Sequence, residues 1–177
     1  MAATAPAQIR PFRPADRSQV LALAPRLTEG AAPWRDPAAV RRAAQNWLQT
    51  SIDSASQQGH AVYVAIASDQ VVGVVSIREQ AHFTGQTDAY IGALAVASGM
   101  ERRRIGTALL NAAEAWAAQR GVALVTLHTQ AANQPARSLY RKLGYHEEEL
   151  QLTKAIPVRQ HGQPRPFDET ETHAPCR

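Results

Sequence analysis

Two short stretches hold side chains at positions where they invite chemistry. In "ERRRIG", residues 101–106, three consecutive arginines stand directly before an alanine-rich amphipathic run. Cations at a helix start oppose the macrodipole, so a chain that places them there is often holding an anion. A strand leading through a short loop into a helix presents free backbone N–H groups, which suits an anion as well. Arg102, Arg103 and Arg104 would surround that position with charge, and Gly106 would let an anion close to the backbone. Taken alone, the three arginines fit a solvated surface equally well. The second stretch, "NQPARSLYRKLGY", residues 133–145, sets Tyr140 two turns into a helix that Asn133 would cap. A tyrosine hydroxyl, with a reference pKa of about 10, stays protonated at neutral pH and can give its proton to a thiolate. Without further context Tyr140 reads as a core aromatic with a satisfied hydroxyl.

The remaining chain narrows the classes. Its 177 residues are enough for one domain with a real core. The 45% hydrophobic and 19% charged shares are ordinary for a soluble globular protein. A net charge of +4 favours anionic partners only mildly, and the basic residues do not form the aromatic-interleaved stripe of a nucleic-acid binder. Cys176 is the single cysteine, so no internal disulfide forms and a reducing, cytoplasmic setting is expected. No signal peptide and no membrane-spanning run is read, and the six histidines show no metal-ligand spacing. The arginine loop lacks G-x-x-x-x-G-K-[ST] and G-x-G-x-x-G, which argues against a P-loop or dinucleotide site.

The elements that must position these stretches follow from periodicity. Residues 1–7 read as a flexible leader and "QIRPFR" as a short edge strand. Asp16 and Gln19 propose a capping box for a first helix, and "RDPAAV" opens a second with Asp36 as cap and Pro37 in its first turn. The apolar face of that second helix reads as Val40, Ala43, Ala44, Trp47 and Leu48. "HAVYVAIAS", "QVVGVVSIRE" and "DAYIGALAVA" are valine-rich strands, the first two joined by a tight turn at Ser68 and Asp69. The helix after the arginines buries Ile105, Leu109, Ala112 and Trp116. "VALVTLHT" is a fourth buried strand, with His128 read as a hydrogen-bonded core histidine. After the Asn133 helix, "YHEEELQLTKAI" is expected to close the sheet. Residues 157–177, with four of the 11 prolines, are read as a disordered or draped tail. The expected fold is α/β: one domain over 8–156, with a mixed sheet and helices on both faces.

The two motifs at this separation, "LAVASGMERRRIGTALL" and N-x-x-A-x-x-x-Y-x-x-x-G-Y, resemble the GCN5-related N-acetyltransferase (GNAT) superfamily. The family's loop signature is [QR]-x-x-G-x-[GA]. Here Gly106 matches the last position, Glu101 replaces the usual Gln or Arg, and Arg104 replaces the first Gly. The resemblance implies a twisted, mostly antiparallel sheet splayed to admit acetyl-CoA, with no metal. It implies that Leu94, Ala95 and Val96 pair with the pantetheine arm as a further strand does. Amides of Arg102, Arg103, Arg104, Ile105, Gly106 and Thr107 would hold the pyrophosphate. Asn133 would contact the pantetheine or cap the helix beside it. Tyr140 would be the general acid at the thioester sulfur, and a backbone N–H of strand 87–97 would stabilise the oxyanion.

Some family members carry a glutamate early on that strand, and Tyr90 stands in its place. The nearby candidates for a general base are Asp88, Glu79 and His82, beside a water chain or an amine that arrives neutral. Trp34, His82 and Tyr90 are expected around the acceptor, between loop 28–36 and connection 80–87; Trp47 reads as core. The function expected is transfer of an acetyl group from acetyl-CoA to a primary amine of a small molecule, by direct attack in a ternary complex. A protein or peptide N-acetyltransferase and a non-catalytic acyl-CoA-binding module are the alternatives. No nucleic-acid or membrane partner is expected, and a homodimer is left open.

Overall fold

The computed structural model describes residues 7–156, so residues 1–6 of the expected leader 1–7 and the expected tail 157–177 lie outside the described residues. The chain divides into two compact units, Met1–His146 and Glu147–Arg177. In the first unit the order is β1 (Gln8–Pro11), α1 (Arg17–Leu21), α2 (Pro37–Asp53), β2 (His60–Ala67), β3 (Gln70–Ala81), β4 (Thr87–Val96), α3 (Ile105–Gln119), β5 (Val125–Leu127) and α4 (Gln134–Lys142). Short 3-10 turns at Pro14–Asp16 and Ala24–Thr28 flank α1. The strands form one five-stranded sheet in sequence order, antiparallel from β1 to β4. Only the β4–β5 pair is parallel, because α3 makes the crossover between them.

Local chemistry explains most of these elements. Asp36 accepts from the amides of Ala38 and Ala39, with Pro37 in the first turn, so α2 starts where the sequence says it must. Ser68 and Asp69 both take positive φ, 48° and 59°, giving the tight β2–β3 hairpin. The sheet buries two apolar layers. On one face Val75, Ile77, Ala89 and Ile91 meet Ile105, Leu109, Leu110, Ala113 and Trp116 of α3. On the other, Val64, Val74, Ala93 and Ala95 meet Val20 of α1 and Leu48 and Ile52 of α2.

Four expectations are corrected. Asp16 and Gln19 form no capping box: the Asp16 carboxylate takes a two-pronged bond from Arg10 at 2.7 and 2.8 Å, and Gln19 accepts from the amide of Val71. Both side chains are recruited by partners distant from the helix start, and α1 ends after five residues. Trp47 is not core but 60% exposed, since the buried stripe of α2 is Ala44, Leu48 and Ile52 at i, i+4 spacing. The fourth strand shrinks to Val125–Leu127 and is half-buried, and His128 beyond it is exposed. The expected closing strand is absent: residues 145–156 contain no strand. Three consecutive glutamates, Glu147, Glu148 and Glu149, are poor strand formers whose like charges repel.

Candidate active site

β4 ends at Val96, and the chain turns through residues 97–104 before α3 starts at Ile105. Arg102 and Arg104 in this turn have φ of 60° and 62°, the left-handed region that glycine enters without strain. Arg104 therefore occupies, at a conformational cost, the position where the family's loop carries glycine. It stands at the N-cap of α3 with no side-chain cap, so among the described residues the first-turn amides of the helix receive no capping side chain. Left-handed residues in a turn bring successive N–H groups into a concave nest, which favours an anion. Gly106 adds a cradle. A Cβ there would lie 3.2 Å from Leu139 of α4 and 3.9 Å from Val96, where β4, α3 and α4 meet.

Below this turn the sheet forks. Ala89, Tyr90 and Ile91 of β4 pair with Val125, Thr126 and Leu127 of β5, whereas residues 93–96 pair only with β3. At the base of the fork Gly92 is a bulge: Ile91 faces Ile77 and Ala93 faces Ser76, so Gly92 has no counterpart on β3. A Cβ on Gly92 would come within 3.2 Å of the Ser76 hydroxyl, which is buried and has no hydrogen-bond partner among the described residues.

Segment 24–30 reaches this region from the α2 side. Arg26 donates through Nε to the Val96 carbonyl at 2.8 Å and through a terminal nitrogen to Glu101 at 2.7 Å, and it also pairs with Glu29. Gly30, at φ 75°, lies so close to α4 that a Cβ would fall 2.6 Å from the Asn133 amide. Amide hydrogen bonds from Glu101 itself and Gly99, then the charges of Arg26 and Arg102, hold the Glu101 carboxyl below the usual range. Glu101 thus ties the turn to Arg26 through its carboxylate.

On α4, Asn133 accepts from the Ala136 amide at 3.2 Å and so caps the helix. Leu139, Tyr140 and Leu143 pack on the α3-side core. Burial pushes the Tyr140 hydroxyl up to about 12, so it holds its proton through the neutral range. The Tyr140 ring lies edge-on to Tyr145, 5.8 Å between centres, and the Tyr145 hydroxyl donates to Glu114 at 2.8 Å.

The other expected site residues divide into two groups. Tyr90 sits two residues before the bulge, with the Arg78 guanidinium 4.9 Å from its ring centre and its hydroxyl 3.2 Å from Nδ1 of His128. Glu79, Asp88 and His82 lie instead at the β3–β4 hairpin end of the sheet. Glu79 pairs with Arg120 at 2.5 Å, and Asp88 is buried with one oxygen lacking a partner among the described residues. Both line an open cleft of about 480 Å³ with Arg120, Val122 and Leu124. From Asp88 to the bulge at Gly92 is about 13 Å of strand. His82 is engaged with Thr84 at 2.7 Å at the hairpin turn. Trp34 is 65% exposed in the turn preceding α2. Sequence reasoning missed Arg26, whose partners Val96 and Glu101 are 70 and 75 residues away. It read His128 as a core histidine on a buried strand or at its end; the ring stands directly after the last paired residue of β5 and is exposed. Among the described residues no group of three or more His, Cys, Asp or Glu could hold a metal ion, and no helix is long and apolar enough to cross a membrane.

An α/β sheet forked between its two parallel strands, with an anion-favouring turn at the fork's open end, is the class of protein these features define. The chain belongs to the acetyltransferase (GNAT) family, whose profile matches residues 26–145, and its enzyme class is acyl transfer. A search of curated proteins finds no match. Among solved structures, a putative acetyl transferase from Pyrococcus furiosus is similar at 24% identity and TM-score 0.69, covering 85% of this chain and 99% of that one. An aminoglycoside 6'-N-acetyltransferase from Acinetobacter haemolyticus is similar at 18% identity and TM-score 0.64, covering 86% and 99%. A third, AAC(6')-Iy in complex with a bisubstrate analogue of CoA and acetylneamine, is 15% identical with TM-score 0.62, covering 87% and 100%. At these identities the likeness concerns the fold.

Proposed function

We propose that this chain transfers the acetyl group of acetyl-CoA to a primary amine of a small molecule, in a ternary complex. The observation that carries the reading is the fork. Residues 92–96 have no β5 partner and lead from the bulge at Gly92 to the left-handed turn at Arg102 and Arg104. The gap suits a pantetheine arm lying along Leu94, Ala95 and Val96, with the pyrophosphate at the amides of residues 102–107 and the acetyl end at the bulge. From Val96 to Gly92 is about 13 Å of strand, an extended arm's reach. Asn133 is already committed to capping α4, so its part is to set the helix that carries Tyr140.

The chemistry then assigns itself to groups of this chain. The neutral amine attacks the thioester carbonyl carbon, forming C–N and placing charge on the carbonyl oxygen. A backbone N–H near the bulge stabilises that oxygen. The C–S bond breaks as Tyr140 gives its hydroxyl proton to the leaving sulfur, and the surplus proton of the new amide restores the phenol. At about 12 the Tyr140 hydroxyl holds its proton throughout the neutral range, so a proton is present when the sulfur leaves. Small amines are favoured as acceptors by the aminoglycoside enzymes among the similar folds. Thiol release from acetyl-CoA over a panel of free amines and peptides tests this. Release with free amines and not with peptides is expected, and the reverse would make the chain a protein N-acetyltransferase.

A further inference from the structure

We infer that His128, held by Tyr90, is the general base that takes the proton from the acceptor ammonium. The inference rests on the acetyl-transfer reading above and names the group that reading leaves open. Three observations place the pair where the proton must leave. His128 follows immediately on Leu127, the last residue of β5 paired with β4, so it stands at the point where the fork opens. Tyr90 is opposite Thr126 and two residues from the bulge at Gly92. The two rings meet edge-on, 5.5 Å between centres, with the Tyr90 hydroxyl 3.2 Å from Nδ1 of His128.

The pair has the chemistry for the task. In the tautomer with hydrogen on Nδ1, that N–H donates to the Tyr90 oxygen and leaves the Nε2 lone pair available. An ammonium gives one proton to Nε2 and becomes the neutral nucleophile, while the imidazole becomes imidazolium. His128 is exposed, so the imidazolium can return its proton to water after each turnover. Tyr90 is a positioning residue. Burial, set partly against the Arg78 charge, raises its hydroxyl above the usual tyrosine range, so it serves as a neutral hydrogen-bond partner. Beside the pair, the Arg78 guanidinium of β3 lies over the Tyr90 ring, and the neutral Ser51 hydroxyl of α2 is 3.9 Å from a Cβ placed on Gly92. Neither carries a negative charge that would compete for the ammonium. Glu79 is spent on Arg120, and Asp88 and His82 lie at the hairpin end.

The test compares wild type, His128→Gln and Tyr90→Phe by CoA calorimetry and by kcat/KM against pH, using neamine and simple alkyl primary amines as acceptors. All three proteins are expected to bind CoA alike. His128→Gln should lose on the order of 100-fold in kcat/KM at neutral pH, the usual scale for a general base. That deficit should close as the pH rises, because the free amine then needs no base. Tyr90→Phe, which keeps the ring and loses the hydroxyl, should show a smaller deficit with a displaced acid limb. A His128→Gln profile parallel to wild type at every pH, or equal to it, would overturn the base while leaving the acetyltransferase intact. If wild type binds CoA and no amine is acetylated, the small-amine reading fails and the base falls with it.

Discussion

Arg104 holds φ at 62° at the residue that caps α3, and the family's loop has glycine there. A non-glycine residue in this region costs about 1–2 kcal/mol relative to a right-handed one. Replacing Arg104 by Ala keeps that cost and removes the charge, whereas replacing it by Gly removes both. The difference between the two variants isolates the backbone. Glycine gives back part of its gain through a freer unfolded chain, but at a left-handed site the strain relief exceeds that loss. Arg104→Gly should therefore be more stable than Arg104→Ala by about 1 kcal/mol, or about 2–4 °C in Tm for a chain of this size. Differential scanning fluorimetry of the two purified variants reads this directly. Calorimetry with CoA adds a second axis: both variants lose the same guanidinium, so Arg104→Gly should bind no more weakly than Arg104→Ala. An alanine variant as stable as the glycine variant would refute the strained left-handed cap and, with it, the nest built on it.

Tyr140→Phe should lower kcat by about 100-fold or more with little change in CoA affinity, as expected for a lost general acid. Because folding raises the Tyr140 pKa to about 12 from an ordinary 10, its contribution to stability is complete below about pH 10 and is lost between about 10 and 12. An alkaline Tm series of wild type should fall in that window, less steeply in Tyr140→Phe. Gly106→Val should weaken CoA binding about tenfold or more, since even its Cβ lies 3.2 Å from Leu139 in the cradle. An unchanged Kd in calorimetry would remove the pyrophosphate from that place. Asp16→Asn should cost about 2 kcal/mol by urea unfolding, because the two-pronged Arg10 bond and the Arg13 amide converge on that carboxylate. Arg10 holds the Asp16 carboxyl below its ordinary range, so this stability is present above about pH 4 and disappears as the pH falls through the depressed value.

Where a signal is local, the chain announces its own structure. Asp36 with Pro37, Ser68 with Asp69, and Asn133 each fix a cap or turn with groups a few residues apart, and each element begins or turns there. The spacing of Ile105, Leu109 and Trp116 likewise names the face of α3 that is buried. The failures come from distant partners. Asp16 and Gln19 look like a capping pair until Arg10 and the Val71 amide claim them. Trp47 falls on a helical apolar period, yet α2 turns Ala44, Leu48 and Ile52 inward and leaves the indole in water. Nothing near Arg26 or Glu101 points to their bond, because only the folded sheet brings the end of β4 to the turn preceding α2. His128 reads from the sequence as a hydrogen-bonded core histidine, and its link to Tyr90 requires the parallel register of β4 and β5. The two motifs point to the turn and helix proposed for the cofactor, whereas the Tyr90–His128 pair proposed for the acceptor end emerges only from the folded sheet.

The central claim is acetyl transfer across the forked sheet, and free-thiol release from acetyl-CoA measures it most directly, with wild type and Tyr140→Phe assayed side by side on primary amines. The account predicts amine-dependent release by wild type and its loss in the variant, with CoA bound equally by both. Amine-dependent release of equal rate in both proteins would contradict the role given to Tyr140. CoA binding with no release on any amine would contradict the transfer itself.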